Sequence, residues 1–259
     1  MVELEELSTR FDRICDRLVA LEGALGVTSS AHGTPPPSKE NPKQEKIDSD
    51  LFKGDVLPDG YTASARTGLS ENELRLTEVL KSKGFSAFRF VRVVGDYYEM
   101  PLEFRMKSVG APSISHLCKS MVMVNTKAPS DVVDCSDRKN SKYYLVVLQY
   151  TENRTHGEKL KNFLHALNEG RCSRKSFNMR LAPQEISDEL SGFEHNAVSP
   201  FGCKTEMPII LSHKVAALSP GVFFLGAGEV DLKVCVRLDE FIEKYDPFVV
   251  DCTYDDDDD

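Results

Sequence analysis

Long hydrophobic segments are missing from this chain. No apolar run approaches the roughly 20 residues that a helix needs to span a bilayer. The first residues, Met-Val-Glu-Leu-Glu-Glu, contain neither a basic region nor a continuous apolar core. We therefore expect neither a secretory signal nor a transit peptide, and we expect a cytoplasmic location.

Paired cysteines are missing as well. The seven cysteines are odd in number and widely spaced, and no Cys-x-x-Cys occurs. A zinc site of the usual ligand spacing is therefore not expected, and no cofactor is predicted. His116, His165, His195 and His213 do not have metal-ligand spacing, and we interpret them as surface or packing residues. Reduced cysteines agree with a cytoplasmic location.

The common catalytic and nucleotide-binding signatures are also absent. The chain has no Gly-x-Ser-x-Gly, no P-loop, and no Gly-x-Gly-x-x-Gly between a strand and a helix. The segment GAGEVD, which begins at Gly226, follows a predicted strand but precedes no predicted helix. It therefore indicates a hairpin turn rather than a cofactor loop.

Net positive charge is lacking too, since the 259 residues carry a net charge of −9. This balance argues against nonspecific binding of nucleic acid. Five of the negative charges lie in Asp255–Asp259, which we interpret as a solvated tail. The segment RCSRK (Arg171–Lys175) is the candidate for a local basic patch.

A heptad pattern is present at the N-terminus. Its apolar residues are Leu4, Leu7, Phe11, Ile14, Leu18, Leu21 and Leu25. Residues 1–26 are therefore predicted to form a coiled-coil helix that associates with a second copy or a partner. The alternative is that this stripe packs on the chain's own body. Residues 27–69 contain three successive prolines among polar residues and are predicted to be a flexible linker.

A folded domain is predicted for residues 70–250, followed by an acidic tail at 251–259. Ser70 and Glu73 form a capping box at the start of the first helix, which Gly84 ends. Further helices are predicted at Pro101–Val109, Gly157–Asn168, Pro183–Leu190 and Asp239–Tyr245. Strands are predicted at Phe85–Val94, Cys118–Asn125, Tyr143–Tyr150, Pro208–Ser212, Gly221–Gly228 and Leu232–Leu238. Because these elements do not alternate strictly, we expect an α+β fold with a mixed sheet.

Lys119 is the first candidate for a functional residue. It enters the apolar strand SMVMV, and burying an unpaired ammonium is costly. Two interpretations remain open. The side chain either extends to water at the strand edge, or it points into a cleft and binds a phosphate or carboxylate.

The loop GFEHNAVSPFG (Gly192–Gly202) is the second candidate. Asn196 can adopt a left-handed backbone conformation, and Pro200 favours an extended Ser199. Such a loop presents backbone N–H groups in a fixed array, which suits a carbonyl or a developing oxyanion. The alternative is a tight connection without a binding role.

In this order and spacing, the two features resemble the YbaK / prolyl-tRNA-synthetase-associated editing domain family. The resemblance covers about residues 70–245. The matching segments are KSMVMV, YYLVVLQY, RKSFNMRLAPQEI, SGFEHNAVSPFG and GAGEVDLKVCVRLDEFI. Asn196 stands where the family motif has glycine, and Ser120 occupies a variable position.

The resemblance implies a partly barrel-like, YbaK-like sheet flanked by helices and an aminoacyl-tRNA deacylase that acts in trans without a cofactor. Lys119 would be the catalytic residue and would bind the 3′-terminal phosphate and ribose. The residues implied to line the aminoacyl pocket are Ser120, Asn196, Ala197, Val198, Ser199, Pro200 and Gly226. Water or the substrate's own groups would attack an ester that is already activated. Asn196 is expected to alter specificity, with loss of hydrolysis as the extreme case.

Two other functions stay open. One is a non-catalytic tRNA-binding or adaptor subunit of a synthetase assembly that retains the fold. The other is an unrelated small-molecule hydrolase. The expected partners are the acceptor end of aminoacyl-tRNA and, through residues 3–25, a second copy or a synthetase assembly, which would raise the local concentration of substrate.

Overall fold

The computed structural model describes residues 68–152 and 154–254. The predicted coiled-coil helix, nearly all of the predicted linker and Asp255–Asp259 lie outside the described residues, so these interpretations stay predictions. Within the two described ranges, no helix combines the length and hydrophobicity needed to cross a bilayer.

The described residues contain six α-helices and eight strands. The helices are α1 (Glu71–Ser82), α2 (Leu102–Val109), α3 (Gly157–Leu167), α4 (Gln184–Ser191), α5 (His213–Ala216) and α6 (Leu238–Tyr245). The strands are β1 (Phe88–Arg92), β2 (Cys118–Asn125), β3 (Tyr143–Gln149), β4 (Met179–Leu181), β5 (Ile209–Ser212), β6 (Val222–Gly226), β7 (Leu232–Arg237) and β8 (Phe248–Val250). All helices and strands predicted for this region are present. The short elements α5, β4 and β8 were not predicted, because so few residues show no periodicity.

The strands form two sheets. A mixed sheet has the order β4-β2-β3-β5-β8, in which β2 is antiparallel to both β3 and β4, and β3, β5 and β8 are parallel. An antiparallel sheet has the order β1-β7-β6. Leu117, directly before β2, forms a bridge with Phe224 in β6, which joins the two sheets. The predicted α+β class with helices around a mixed sheet is confirmed.

Strand β3 has a continuous apolar sequence because both of its faces are buried. Leu145 and Val147 belong to the larger core. Val146 and Leu148 face the other way and pack in a second core with Leu160 of α3. Successive side chains of β3 therefore pack alternately in the two cores, which is typical of an interior strand.

The N-terminus of α1 is tied to the β6–β7 hairpin. The Ser70 side chain caps α1 by accepting a hydrogen bond from the Glu73 N–H at 3.2 Å. Arg92 of β1 contacts carboxylates of the hairpin, Glu229 at 2.5 Å and Asp231 at 2.9 Å. The Ser70 cap of the predicted capping box and the hairpin at GAGEVD are both confirmed. These contacts hold the end of β6, where Gly226 lies.

Candidate functional site

A cleft of about 220 Å³ lies beside β2, the loop after α4 and the end of β6. Five predicted site residues line it: Lys119, Ser120, Asn196, Val198 and Gly226. Three segments that are distant in the sequence therefore meet at one cleft. Their joint position is a geometric result and does not by itself assign a function.

Lys119 lines the cleft as a half-buried cation. Its ammonium lies 5.3 Å from the centre of the Tyr150 ring. It makes no hydrogen bond or ion pair with any residue of the described ranges. Burial lowers the pKa of Lys119, and the nearby Glu152 carboxylate opposes this shift. The ammonium therefore remains available for an anion that enters the cleft.

The neighbouring Ser120 adds an unused polar group to the cleft. Its hydroxyl oxygen is buried and has no hydrogen-bond partner among residues 68–152 and 154–254. Buried polar groups are usually hydrogen-bonded. Ser120 can therefore donate to or accept from a bound molecule.

The loop after α4 is held by its backbone. Asn196 has the predicted left-handed conformation, with φ of 65°. The Ala197 N–H donates to the Glu194 carbonyl at 3.0 Å, and the Gly228 N–H donates to the Ala197 carbonyl at 3.0 Å. The Tyr98 hydroxyl donates to the Asn196 carbonyl at 2.7 Å. These contacts fix the loop against the β6–β7 hairpin.

Gly226 is required by the close approach of β6 to this loop. A Cβ atom at Gly226 would lie 3.0 Å from the Val198 carbonyl oxygen and 3.4 Å from the Ala197 carbonyl. These neighbours are backbone atoms, which cannot rotate away as a flexible side chain can. Glycine therefore permits the contact that forms this wall of the cleft.

The other three predicted site residues do not line the cleft. Ala197 is buried in the larger core. Ser199 is fully buried, and its hydroxyl accepts a hydrogen bond from the Phe201 N–H at 3.2 Å. Pro200 lines a different groove of about 880 Å³. The structure thus places these residues within or behind the loop, and their predicted binding role stays a prediction.

Tyr98 and Lys233 were missed in the sequence, although they support the loop. Lys233 is only 5% exposed. Its ammonium donates to the Tyr98 hydroxyl and to the Val230 carbonyl, each at 2.8 Å. Burial lowers the pKa of Lys233 to about 7, while Asp231 opposes this shift. A lysine within the apolar strand LKVCV was the available signal, and it is the same signal that singled out Lys119.

The histidines occupy different environments. His116 is buried between the Ser113 hydroxyl, at 2.8 Å, and the Pro220 carbonyl, at 3.1 Å, and burial lowers its pKa. It is a packing residue, as interpreted from the sequence. His195 is exposed but lines the cleft beside Asn196. Among the described residues, no cluster of three or more His, Cys, Asp or Glu residues is arranged to hold a metal ion.

The predicted basic patch is largely neutralised by neighbouring carboxylates. Arg171 forms an ion pair with Asp137 at 2.7 Å, and Arg174 forms one with Glu158 at 2.6 Å. Because their charges are already compensated, these two arginines are weak candidates for binding an anion.

Comparison with known proteins supports the fold. No family model and no curated protein matches the sequence. A proposed trans-editing enzyme for prolyl-tRNA synthetase has a similar structure, with a TM-score of 0.56 and 19% identity. The match covers 73% of this chain and 100% of that chain. This chain therefore shares the fold of that structure.

Two further solved structures share this fold. One comes from work on grafting linear epitopes onto scaffold proteins and has a TM-score of 0.56 and 17% identity, covering 72% of this chain and 100% of the other. A hypothetical protein has a TM-score of 0.51 and 15% identity, covering 70% and 99%. At these identities the likeness establishes the fold alone.

Proposed function

We propose that this protein hydrolyses, in trans, the ester bond of mischarged aminoacyl-tRNA. The observation that carries the proposal is the position of Lys119. Its half-buried ammonium lines the same cleft as the loop residues Asn196 and Val198 and has no anionic partner among the described residues. The likeness to a proposed trans-editing enzyme agrees with this function.

Lys119 would bind the 3′-terminal phosphate and ribose of the tRNA. An ammonium in a partly desolvated cleft attracts a phosphate oxygen more strongly than one fully in water, because the effective dielectric constant is lower. Ser120 offers a hydroxyl beside it. Together they would place the adjoining ester against the loop.

The loop would position the ester carbonyl for attack. Water oxygen would bond to the carbonyl carbon, and the bond from this carbon to the ribose oxygen would break. The ribose oxygen would take up a proton, which releases the free amino acid and the tRNA. The Ala197 N–H already donates to Glu194, whereas the N–H groups of Asn196 and Val198 donate to no described residue. These two groups are therefore candidates to stabilise the developing oxyanion.

The size of the cleft favours a small aminoacyl group. Its volume of about 220 Å³ is below the range of roughly 300–1,000 Å³ that is usual for small-molecule sites. Asn196 adds bulk where the family motif has glycine. Alanyl-, seryl- and cysteinyl-tRNA are therefore the first substrates to test.

A non-catalytic tRNA-binding subunit is the second candidate. Asn196 favours it, because a side chain at this position could block the approach of the ester to the loop backbone. The two functions make the same prediction for tRNA binding but opposite predictions for hydrolysis.

The deciding experiment is deacylation of alanyl-, seryl- and cysteinyl-tRNA by the full chain. We expect one or two of these substrates to be hydrolysed. Lys119→Ala should lower kcat/KM about 10- to 100-fold, because a hydrogen bond to a charged group contributes about 1.5–3 kcal/mol. Lys107→Ala, which removes an exposed lysine of α2, is the matched control and should behave as the wild type.

Two results would contradict the proposal in different ways. Binding of tRNA without hydrolysis of any substrate would favour the non-catalytic subunit. Hydrolysis that persists in Lys119→Ala would show that a different site is responsible.

The proposed association through residues 3–25 is tested separately. Leu18→Asp places a charge in the heptad seam and should abolish a self-association that light scattering detects for the wild type. If the wild type is a monomer at every concentration, self-association is excluded.

A further inference from the structure

The candidate cleft and a second groove of about 530 Å³ share part of their lining. Met121 of β2 and Leu181 of β4 line both spaces. Leu181 is 64% exposed, although it is a large apolar residue on a strand. A molecule held at Lys119 could therefore extend across these two side chains into the second groove without leaving the protein surface.

The second groove carries two arginines that have no carboxylate partner among the described residues. Arg154 and Arg180 are both exposed and both line the groove. Lys161 also lines it but is paired with Glu158 at 2.7 Å. Among the described residues, the uncompensated charge of the groove is thus supplied by two guanidinium groups, which are well suited to phosphate oxygens.

An aromatic platform lies next to this charge. The Tyr254 ring is 4.6 Å from the His156 ring, and the Arg154 guanidinium lies 4.5 Å from the centre of the Tyr254 ring. The platform is anchored by the backbone, because the His156 N–H donates to the Cys252 carbonyl at 2.8 Å. Unpaired guanidinium groups beside an aromatic ring form the arrangement by which proteins hold single-stranded nucleic acid.

We propose that this groove binds the single-stranded 3′ end of an RNA, upstream of the nucleotide that enters the cleft. Arg154 leaves the face of Tyr254 to contact a phosphate, Arg180 contacts another, and a base stacks on the ring face that Arg154 vacates. An acidic protein segment would use the arginines but would gain little from the aromatic ring, so RNA is the partner that both features favour. The inference rests on the proposed function only in taking the cleft as the site of the terminal nucleotide.

Binding without chemistry is the first test. The probe is a fluorescein-labelled short single-stranded RNA that ends in cytidine-cytidine-adenosine, and its anisotropy is measured with the full chain. The double variant Arg154→Ala/Arg180→Ala should bind on the order of tenfold more weakly, and the slope of log K against log salt should fall by about 1.4, or 0.7 for each lost phosphate contact. The double variant Lys81→Ala/Lys107→Ala removes the same charge from exposed sites outside the groove and should bind as the wild type.

The aromatic contribution is tested at Tyr254. Tyr254→Ala should weaken RNA binding on the order of tenfold, because it removes the stacking surface. Tyr254→Phe keeps the ring and should bind as the wild type. Equal weakening by both variants would show that the hydroxyl, not stacking, matters and would overturn this part of the inference.

Kinetics separate this inference from the proposed function. For a mischarged tRNA, the arginine double variant should raise KM while kcat stays close to the wild-type value.

Hydrolysis by the wild type together with unchanged RNA binding by the variant would overturn the proposed RNA-binding groove and leave the proposed deacylase activity in place. Absence of hydrolysis with RNA binding that depends on these residues would support the groove and overturn the deacylase. Displacement of the RNA by polyglutamate at equal charge concentration would indicate a site for an acidic protein and overturn the inference.

Discussion

The hydroxyl of Tyr98 donates a hydrogen bond to the backbone carbonyl of Asn196 at 2.7 Å. It also accepts one from the ammonium of Lys233 at 2.8 Å. These two bonds connect β7, through the turn before α2, to the loop that borders the cleft. Asn196 is in the left-handed region, so its conformation depends on the contacts that hold it.

Tyr98→Phe should loosen this loop. The substitution keeps the ring but removes the bond to Asn196 and one acceptor of the buried Lys233 ammonium. We expect the free energy of unfolding to fall by about 1–3 kcal/mol, with a lower kcat for deacylation. Urea denaturation and deacylation kinetics measure the two effects. Tyr143→Phe is the matched control, since the Tyr143 hydroxyl has no hydrogen-bond partner within the described ranges and lies outside the cleft, and it should change neither quantity.

Gly226→Ala should damage the wall between β6 and the loop. The added Cβ would lie 3.0 Å from the Val198 carbonyl oxygen, so the loop backbone must move. We expect a loss of about 1–3 kcal/mol in stability and weaker activity. Gly221→Ala is the control, because its Cβ would meet its nearest neighbour, the Leu238 Cβ, at 4.0 Å. If the two alanine variants unfold at the same urea concentration, the close approach at Gly226 is not a constraint.

Lys233 should make stability depend on pH in the neutral to alkaline range. Its pKa falls from 10.5 to about 7 on folding, because burial disfavours the charged form. Between these values the unfolded chain binds more protons than the folded protein, so stability rises with pH across this window. Below about pH 7 both states are protonated, and the penalty is constant.

Replacing Lys233 by methionine should remove this contribution. Unfolding by urea at a series of pH values should show a flatter pH dependence between 7 and 10 for Lys233→Met than for the wild type. Lys107→Met, at an exposed position, should keep the wild-type dependence. Parallel curves for the wild type and Lys233→Met would contradict the predicted titration.

Asn196→Gly should change which amino acid is removed from tRNA. Glycine adopts the left-handed conformation at no steric cost, so the fold should be retained. The shorter residue should admit larger aminoacyl groups to the cleft, which a panel of mischarged tRNAs would reveal. Asn196→Ala also shortens the side chain but is strained by about 1–2 kcal/mol in this conformation. An unchanged substrate profile in Asn196→Gly would show that Asn196 does not determine specificity.

The local features of the fold were predictable because they depend on residues close together in the sequence. The capping box joins Ser70 to a backbone group three residues later. The left-handed Asn196 follows from the conformational preference of asparagine. Strand β2 has the predicted bounds, Cys118–Asn125, because the apolar run Met121–Val124 marks its centre.

The candidate site was only partly predictable. Lys119 could be singled out because an ammonium within an apolar strand needs an explanation. The same argument applies to Lys233, which also lies within an apolar strand, but Lys233 was not predicted as a functional residue. The expectation for Ser199 and Pro200 rested on the sequence of the loop, whereas the direction in which each loop residue faces is set by the elements packed around it.

The sequence alone determined the longer helices and strands of the described region, the α+β class and the two positions, Lys119 and Asn196, where unusual chemistry or conformation was expected. Only the tertiary structure decided that β2, the loop after α4 and the end of β6 share one cleft, and that this cleft shares Met121 and Leu181 with the groove of Arg154, Arg180 and Tyr254. The physical reason is the separation along the sequence over which each kind of interaction acts. Periodicity, capping and backbone preference act over a few residues, whereas contacts between distant segments depend on how the whole core packs.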